Sequence, residues 1–380
     1  MSKLKVTTIS DPDNDNTALT IDSSGNVTAS QGFVPSTQLS HRNIMINGAM
    51  QVAQRGTSFT NPTDQYTLDR WAFSNSNFGA WNVTQSTDAP EGFKYSLKAT
   101  CTTADSSPAS GDYVFVRCKH ERQNIEHLKM GTSNALSFTL SFWVKSNKTG
   151  TFGIEHQVTG SKETSADVTI NTADTWEYKT VSIPANTSYA QSEPDTGNGL
   201  STWFWINAGS NYQGTPPSNW ADQTSGRAGT LTSDIGNAVN DYFAFTGVQL
   251  EVGSVATPFE HRSYGEELAR CQRYYYMHTT EDGDNAISLG YMWSNSELGT
   301  VIQFPVTMRA APSLSKGNGT NWYRFERDGA SNGWDGFTGL ARPGKNNAYV
   351  YTQSASFTQG QVGELRLVNS GAYVAFDAEL

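Results

Sequence analysis

Short runs of β-branched and aromatic residues, each closed by a polar turn, recur along most of the chain. Between residues 43 and 262 they are TLDRWAF, YSLKATC, DYVFVRCKH, LSFTLSFWVKS, TFGIEHQV, WEYKTVSIP, LSTWFWINAG and DYFAFTGVQLEV. The pieces between them, such as KSNKTG, SEPDTGNG and YQGTPPSN, are rich in turn formers. Runs of this kind between turn signals make strands, and many in succession make an antiparallel sandwich or jelly roll. Residues 278–380 repeat the pattern with AISLGYMW, GTVIQFPVTM, NWYRFER, AYVYTQSASF, GELRLVN and AYVAFDAEL. Pro305 and Pro312 belong at edges or strand ends there, because proline cannot donate to a ladder. The expected fold class is therefore all-β and multi-domain. An antiparallel jelly roll spans 43–262, and a second small β-sandwich forms the C-terminal tip over 278–380.

One stretch departs from this style. Phe245 to Val252 alternates like a strand, and Gly253 to Arg262 is a Gly-, Pro- and Ser-bearing connector. Ser263 then opens a helix, with Glu266 three residues on, as in a capping box. Tyr264, Leu268, Cys271 and Tyr275 follow at intervals of four, three and four. That spacing is the narrow stripe of a coiled-coil seam, and it predicts a neck helix over 263–277. As a seam, the stripe would set Leu268 and Cys271 on a three-fold axis, with Tyr264 and Tyr275 at its ends. The same stripe would serve a linker helix packed on its own domain. RQNIEHLKMG is a second, shorter helix candidate.

Residues 1–42 form a separate unit. KVTTI is a short strand, and ALTID and VTAS pair across Ser23-Ser24-Gly25-Asn26 as a hairpin. So few large apolar residues cannot bury a core alone, so the segment must dock on something or pair with copies of itself. Asp11, Asp13, Asp15 and Asp22 have part of the spacing of a calcium loop. Asn16 stands where that loop needs glycine, and the flanks are strands, so an acidic turn is the reading here.

Charged residues are 16% of the chain and aromatics 12%, with Ser, Thr, Asn and Gly filling polar positions. The net charge of -10 excludes a phosphate-backbone partner, so no nucleic acid is expected. No stretch approaches the ~20 apolar residues of a membrane helix, so no membrane insertion is expected. MSKLKVTTIS lacks the apolar core of a signal peptide, which implies synthesis in a cytoplasm. Cys101, Cys118 and Cys271 are far apart and form no CxxC, so they are read as reduced, packed thiols.

Chemistry-bearing motifs are sparse. His120-Glu121-Arg122-Gln123-Asn124 starts like a zincin helix but has Asn where the second histidine must stand. There is no GxSxG elbow, and Gly317-Asn318-Gly319 lacks the rest of a phosphate loop. No cofactor and no metal are implied. Glycoside hydrolysis needs two converging carboxylates, for which Asp64, Asp69, Glu155 and Glu177 are candidates. Aromatics are the richer signal. Trp203 and Trp205 share one strand face opposite Phe204, while Tyr212 and Trp220 sit in a Gly/Pro/Asn loop. Trp322, Trp334, Phe337, Tyr349 and Tyr351 lie in turn-rich surroundings near the C-terminus. Flat rings among Asn, Gln and Asp suit sugar rings and their hydroxyls. The leading glycan-contact residues are therefore Trp322, Trp334 and Tyr349, followed by Tyr212 and Trp220.

Four blocks carry a family resemblance: NIMINGAMQVAQRGTSF, YTLDRWAF, FTLSFWVKS and FTGVQLEVGSVATPFEHRSYGEELARCQRYYY. Together they resemble the shared module of bacteriophage tail fibre and receptor-binding proteins. That module is similar to the carbohydrate-binding jelly-roll domains attached to glycosidases. The resemblance spans residues 43–276, and NTALTIDSSGNVTASQ resembles the N-terminal virion-attachment segment of such fibres. It implies a homotrimeric fibre in the virion tail, held by a tail or adaptor protein at its N-terminus. Its distal β domains would bind host surface polysaccharide without enzymatic activity. The alternatives are a tail-associated polysaccharide depolymerase and a purely structural virion protein. Related domains hold a structural calcium through acids near the first and last strands. Met50-Gln51 stands where such an acid would help, so this chain departs from that calcium-holding pattern and no metal residue is assigned.

Overall fold

Tyr242–Val252 is a central strand of the first large sheet, and its inward side changes partway along. Phe243 and Phe245 enter the core on one side of Gly247, and Val248 and Leu250 enter it on the other. The simple alternation expected from the sequence is therefore broken. Opposite it, pairing jumps from Ser141↔Gln249 to Trp143↔Thr246, which is a β-bulge. Gly247 takes up the kink with φ +62°, and a Cβ there would lie 2.7 Å from the Phe93 ring.

The computed structural model describes residues 6–10, 17–21, 23, 27–29, 40–158, 162–189, 195–223, 225–280, 285–353 and 358–380. The acidic run at 11–16 and Asp22, considered above for calcium, lie outside them. The chain forms two compact units, residues 1–42 and 43–380. The first contains a three-stranded antiparallel sheet of Thr8–Ser10, Thr17–Ile21 and Val27–Ala29. Val6, Ile9 and Val27 are exposed in that unit.

The second unit begins with a two-sheet sandwich. One six-stranded sheet runs Glu177–Ile183, Phe138–Ser146, Tyr242–Val252, Ser96–Thr103, Ala80–Ser86, Ser58–Thr60. The facing seven-stranded sheet runs Ala221–Asp222, Lys162–Ile170, Gly150–Val158, Asn198–Ala208, Tyr113–Glu121, Ala72–Ser76, Gln65–Tyr66. From Ser96 onward the chain passes repeatedly between the sheets, as in a jelly roll. Aromatic rings fill the core: Trp71 meets Phe204 and Phe245 edge-on at 5.9 and 5.2 Å, and Phe204 stacks on Phe245 at 4.6 Å.

The neck helix is Tyr264–Gln272, with Ser263 Oγ accepting from Glu266 N at 3.3 Å. It ends earlier than the stripe requires, and Tyr275 already belongs to the strand Tyr275–Thr280, paired with Asp377. Cys271 is fully enclosed and Tyr275 is 3% exposed, both within this one chain. Leu268 is half-buried and Tyr264 exposed. The stripe expected to line a three-fold axis is thus largely consumed by the chain's own packing, because the segment after the helix pairs with the last strand.

The C-terminal module is a second sandwich. Its small sheet orders Tyr275–Thr280, Tyr373–Asp377 and Ser313–Lys316. Its seven-stranded sheet orders Ala330–Trp334, Tyr323–Arg327, Val362–Leu367, Asn285–Met292, Leu298–Gln303, Asn347–Thr352, Gly339–Ala341. Between named strands, every pairing described across the chain is antiparallel. The two sandwiches meet along a seam rich in charge pairs. Arg55 pairs with Asp377 at 3.2 Å, Arg70 with Glu379, and Arg273 with Glu121 at 2.7 Å. Gln54 Nε2 donates to Tyr275 O at 2.7 Å, and Arg309 Nη1 donates to Thr196 O at 3.0 Å.

Candidate functional site

The glycan-contact residues expected from the sequence fall in three different settings. Trp334 is 3% exposed, stacked on Tyr323 at 5.5 Å and beside Phe337 at 5.6 Å. The hairpin register places Trp334 directly opposite Tyr323, so its indole is part of the module's core. Trp322 is half-buried, with its indole laid against the glycines at 317, 319 and 371. Neither ring presents the open face expected of it, because tight turns and a facing tyrosine cover them.

Tyr212 and Trp220 serve the first sandwich. Tyr212 packs beside Trp205 at 5.5 Å and Tyr113 at 5.6 Å, and Trp220 donates from Nε1 to Pro184 O at 2.8 Å. Trp203 and Trp205 lie on the outer face of their sheet, stacked at 5.8 Å, under the loop that carries Arg227. The Arg227 guanidinium stands 5.0 Å over Trp203 and pairs with the enclosed Glu155 at 3.1 Å, with Glu163 at 3.9 Å. Burial, reinforced by the Glu163 charge, pushes the Glu155 carboxyl up to about 8.

Tyr349 is different. It sits on the outer face of the seven-stranded C-terminal sheet, opposite Val301, with Tyr351 two residues on along the same strand face. Tyr291, Gly299, Tyr351 and Gly339 follow one another across four neighbouring strands. A Cβ on Gly299 would lie 2.2 Å from the Tyr349 hydroxyl oxygen, so the Tyr349 ring leans over that glycine. Tyr349 stacks on Tyr351 at 6.1 Å and lies 6.2 Å from Tyr291, which meets Trp293 edge-on at 6.2 Å. The Tyr349 hydroxyl donates to Glu297 Oε1 at 3.2 Å. Burial, followed by the contacts with Tyr291 and Glu297, raises that phenol well above its usual range.

This cluster is an aromatic platform whose floor is Tyr349, only 8% exposed because its neighbours cover most of the ring, in place of the exposed contact expected of it. Tyr291 and Tyr351 are half-buried at its sides, and Trp293 stands proud at 59% exposure. Leu289, Val301 and Val362, all exposed, extend the same sheet face. Chemically it offers ring faces for stacking and a carboxylate, Glu297, at the rim. Tyr291 and Trp293 were missed as site residues. The available signal was the period-two outward series Leu289, Tyr291, Trp293 in AISLGYMW.

The candidate catalytic carboxylates are each engaged separately. Asp64 pairs with Arg117 at 3.1 Å, and Glu177 is held by Asn171, Thr172 and Lys179. Asp69 is enclosed and accepts from Gln54 N at 2.7 Å, and burial raises its carboxyl to about 6. Among the described residues no group of His, Cys, Asp and Glu gathers as for a metal. Beside the first and last strands of the sandwich, four oxygens converge instead on a side-chain cation. Arg262 donates to Met45 O at 3.0 Å and to Asn43 O, and pairs with Glu267 at 3.2 Å and Glu260 at 3.3 Å.

No protein-family profile matches the sequence, and no curated protein matches it. Among solved structures, similarity is found to the enzymatically active domain of tailspike protein 4 of bacteriophage CBA120. The identity is 13% and the TM-score 0.31, over 56% of this chain and 21% of that one. The carbohydrate-binding module TmCBM61, in complex with β-1,4-galactotriose, matches at 10% identity and TM-score 0.29, over 56% of this chain and 99% of that one. A CBM4 structure matches at 11% identity and TM-score 0.29, over 55% of this chain and 98% of that one. This chain thus spans about a fifth of the tailspike domain. Likenesses this distant carry no argument about ligand or activity.

Proposed function

We propose that the chain is a glycan-binding protein of a bacteriophage tail fibre, and that its C-terminal module holds host surface polysaccharide on the Tyr291–Trp293–Tyr349–Tyr351 platform. The observation that carries the reading is the exposed Trp293 beside three tyrosines on one open sheet face. Sugar rings stack on such faces, and Glu297 supplies an acceptor for hydroxyls. The chain's net charge of -10 favours stacking and neutral hydrogen bonds over ionic capture of an acidic polymer. A single shallow contact of this kind is weak, and several copies in one particle raise avidity by orders of magnitude.

The reading is of a binder, without a catalytic step. Glu155 is closed off beneath Trp205 and Arg227, and Asp69 is capped by Gln54, so neither is poised to meet a glycosidic bond. In this reading the N-terminal unit attaches to a tail protein and the fibre is a homotrimer. Ile9 and Val27 of that small sheet, with Val6 just before it, are exposed and support a partner for it, since exposed apolar residues on so small a sheet favour cover.

The test is binding to an array of bacterial surface polysaccharides and to a panel of host cells. Trp293→Ala and Tyr291→Ala should each lower binding while leaving the unfolding midpoint unchanged. Parent-like binding by the double variant would remove the platform from consideration.

A further inference from the structure

A cleft of about 690 Å³ opens at the seam between the two sandwiches, away from the platform residues. Both modules build it. The first contributes Arg55, Phe59, Gln65 and Tyr66, and the second contributes Tyr275, Ser315, Tyr373 and Asp377. Its volume falls in the ~300–1,000 Å³ range of small-molecule sites, and joints between modules are a common place for them.

The chemistry of the walls narrows the ligand. The Arg55 guanidinium lies 3.6 Å from the Tyr275 ring centroid and 5.3 Å from that of Tyr66, so a planar stack forms one wall. Its charge is already taken by Asp377 at 3.2 Å and Glu379 at 3.4 Å. Among the described residues, the cleft lining therefore offers no spare cation for a phosphate or carboxylate, and no unpaired anion for an amine. What remains open is neutral or partly screened. Gln65 is exposed, the Asp377 side chain is 36% exposed, and the Ser315 and Tyr373 hydroxyls lie 3.3 Å apart. Ring faces flanked by an amide, hydroxyls and one carboxylate edge suit an uncharged, polyhydroxylated ring. Sugar hydroxyls can donate to a carboxylate such as Asp377 and accept from an amide such as Gln65, both of which line the cleft.

We propose that this cleft is a second saccharide site, taking one or two uncharged sugar rings between walls supplied by both sandwiches. It rests on the reading of the chain as a glycan binder and adds a site of different shape. The platform is an open face for stacking along a polymer. The cleft is a concave recess lined from two sides, of a size for a chain end or a side branch. Because its walls come from two modules, occupancy ties the modules together.

Saturation-transfer NMR with methyl glycosides of common neutral hexoses, deoxyhexoses and N-acetylhexosamines tests this directly. The full chain carrying Tyr291→Ala and Trp293→Ala lacks the platform. In that background at least one glycoside should still receive saturation. Adding Gln65→Trp or Ser370→Trp should abolish the signal, since both positions are exposed on the cleft wall. Either plug suffices if its unfolding midpoint matches the parent, so one poorly folding variant does not stall the test. No transfer in the platform-lacking background, or transfer that both plugs leave intact, overturns the proposal. Failure of the platform reading looks different: Tyr291→Ala and Trp293→Ala would then leave polysaccharide binding at the parent level, whatever the plugs do.

Discussion

Arg70, at the base of the first sandwich, is ion-paired with Glu379, 309 positions further along the chain, and the two side chains are 1% and 5% exposed. The Arg70 guanidinium also lies 3.5 Å from the centroid of the Tyr274 ring, directly after the neck helix. Helix exit, first sandwich and final strand thus meet at one buried charge.

Removing one partner of that pair leaves the other buried and uncompensated. Glu379→Ala is expected to destabilise residues 43–380 by about 3–5 kcal/mol. The double variant Arg70→Met, Glu379→Leu should recover much of the loss, since an apolar pair needs no desolvation. Urea unfolding midpoints of the parent and both variants check this. An unchanged midpoint for Glu379→Ala would mean that the seam contributes little.

Arg262 is the internal cation for Asn43 O, Met45 O, Glu260 and Glu267. Its loss would leave two carboxylates facing two carbonyls. Arg262→Ala should cost about 3–5 kcal/mol by the same argument. Arg262→Lys should recover only part, because an ammonium lacks the planar fork that reaches all four oxygens. Thermal unfolding of the three proteins gives the order.

Trp334 and Trp293 should part company. Trp334→Ala opens a cavity beside Tyr323 and is expected to cost about 3–5 kcal/mol. Trp293→Ala removes an exposed ring and should leave stability within about 0.5 kcal/mol of the parent. Only the second substitution should lower glycan binding at a temperature where both proteins are folded. Denaturant titration alongside binding separates the two effects.

His120 and His156 remain neutral down to about pH 3 in the folded chain. Burial comes first for both, joined for His120 by the Arg70 charge and by the repulsion a proton on His156 would add. In the unfolded chain they take protons near pH 6.5. Their contribution to stability is therefore present above that pH and is lost as pH falls toward 3, by at most about 1.4 kcal/mol per pH unit for each. Asp69 and Glu155, whose carboxyls are raised, act in the opposite sense between their unfolded and folded values. The signature is thus a difference. The stability gap between the parent and His120→Gln, His156→Gln should shift toward the variant as pH drops from 6.5 to 4. A gap independent of pH would show that neither histidine is held neutral.

Much of the architecture was legible in the sequence because a half-buried strand writes its period directly into residue order. The strands around Phe204, Phe142 and Phe325 were visible in this way, as was the cap at Ser263. Features set by distant partners were not. The helix ends at Gln272 because Tyr275 pairs with Asp377, about a hundred residues away in sequence. The side change at Gly247 depends on Phe142 occupying the position opposite the bulge. Trp334 is core because a hairpin sets it against Tyr323, although its glycine-rich setting resembles an exposed loop. Trp293 is its mirror case, ending a strand-like run yet standing in solvent. The Glu155–Arg227–Glu163 group was hidden for the same reason, since the loop bearing Arg227 has no local pattern that says what it covers.

Only Arg273 and Tyr274 separate the neck helix from the first strand of the C-terminal module, and the seam runs alongside that passage. The connection therefore contains no slack. A load applied at the platform crosses to the first sandwich through backbone and seam in parallel, so it meets a stiff joint. A string-like tether would first uncoil and then take the strain at one point. This joint shares the strain at once among Arg55, Arg70 and Arg273, and its weakest moment comes only when several charge pairs must be wetted together.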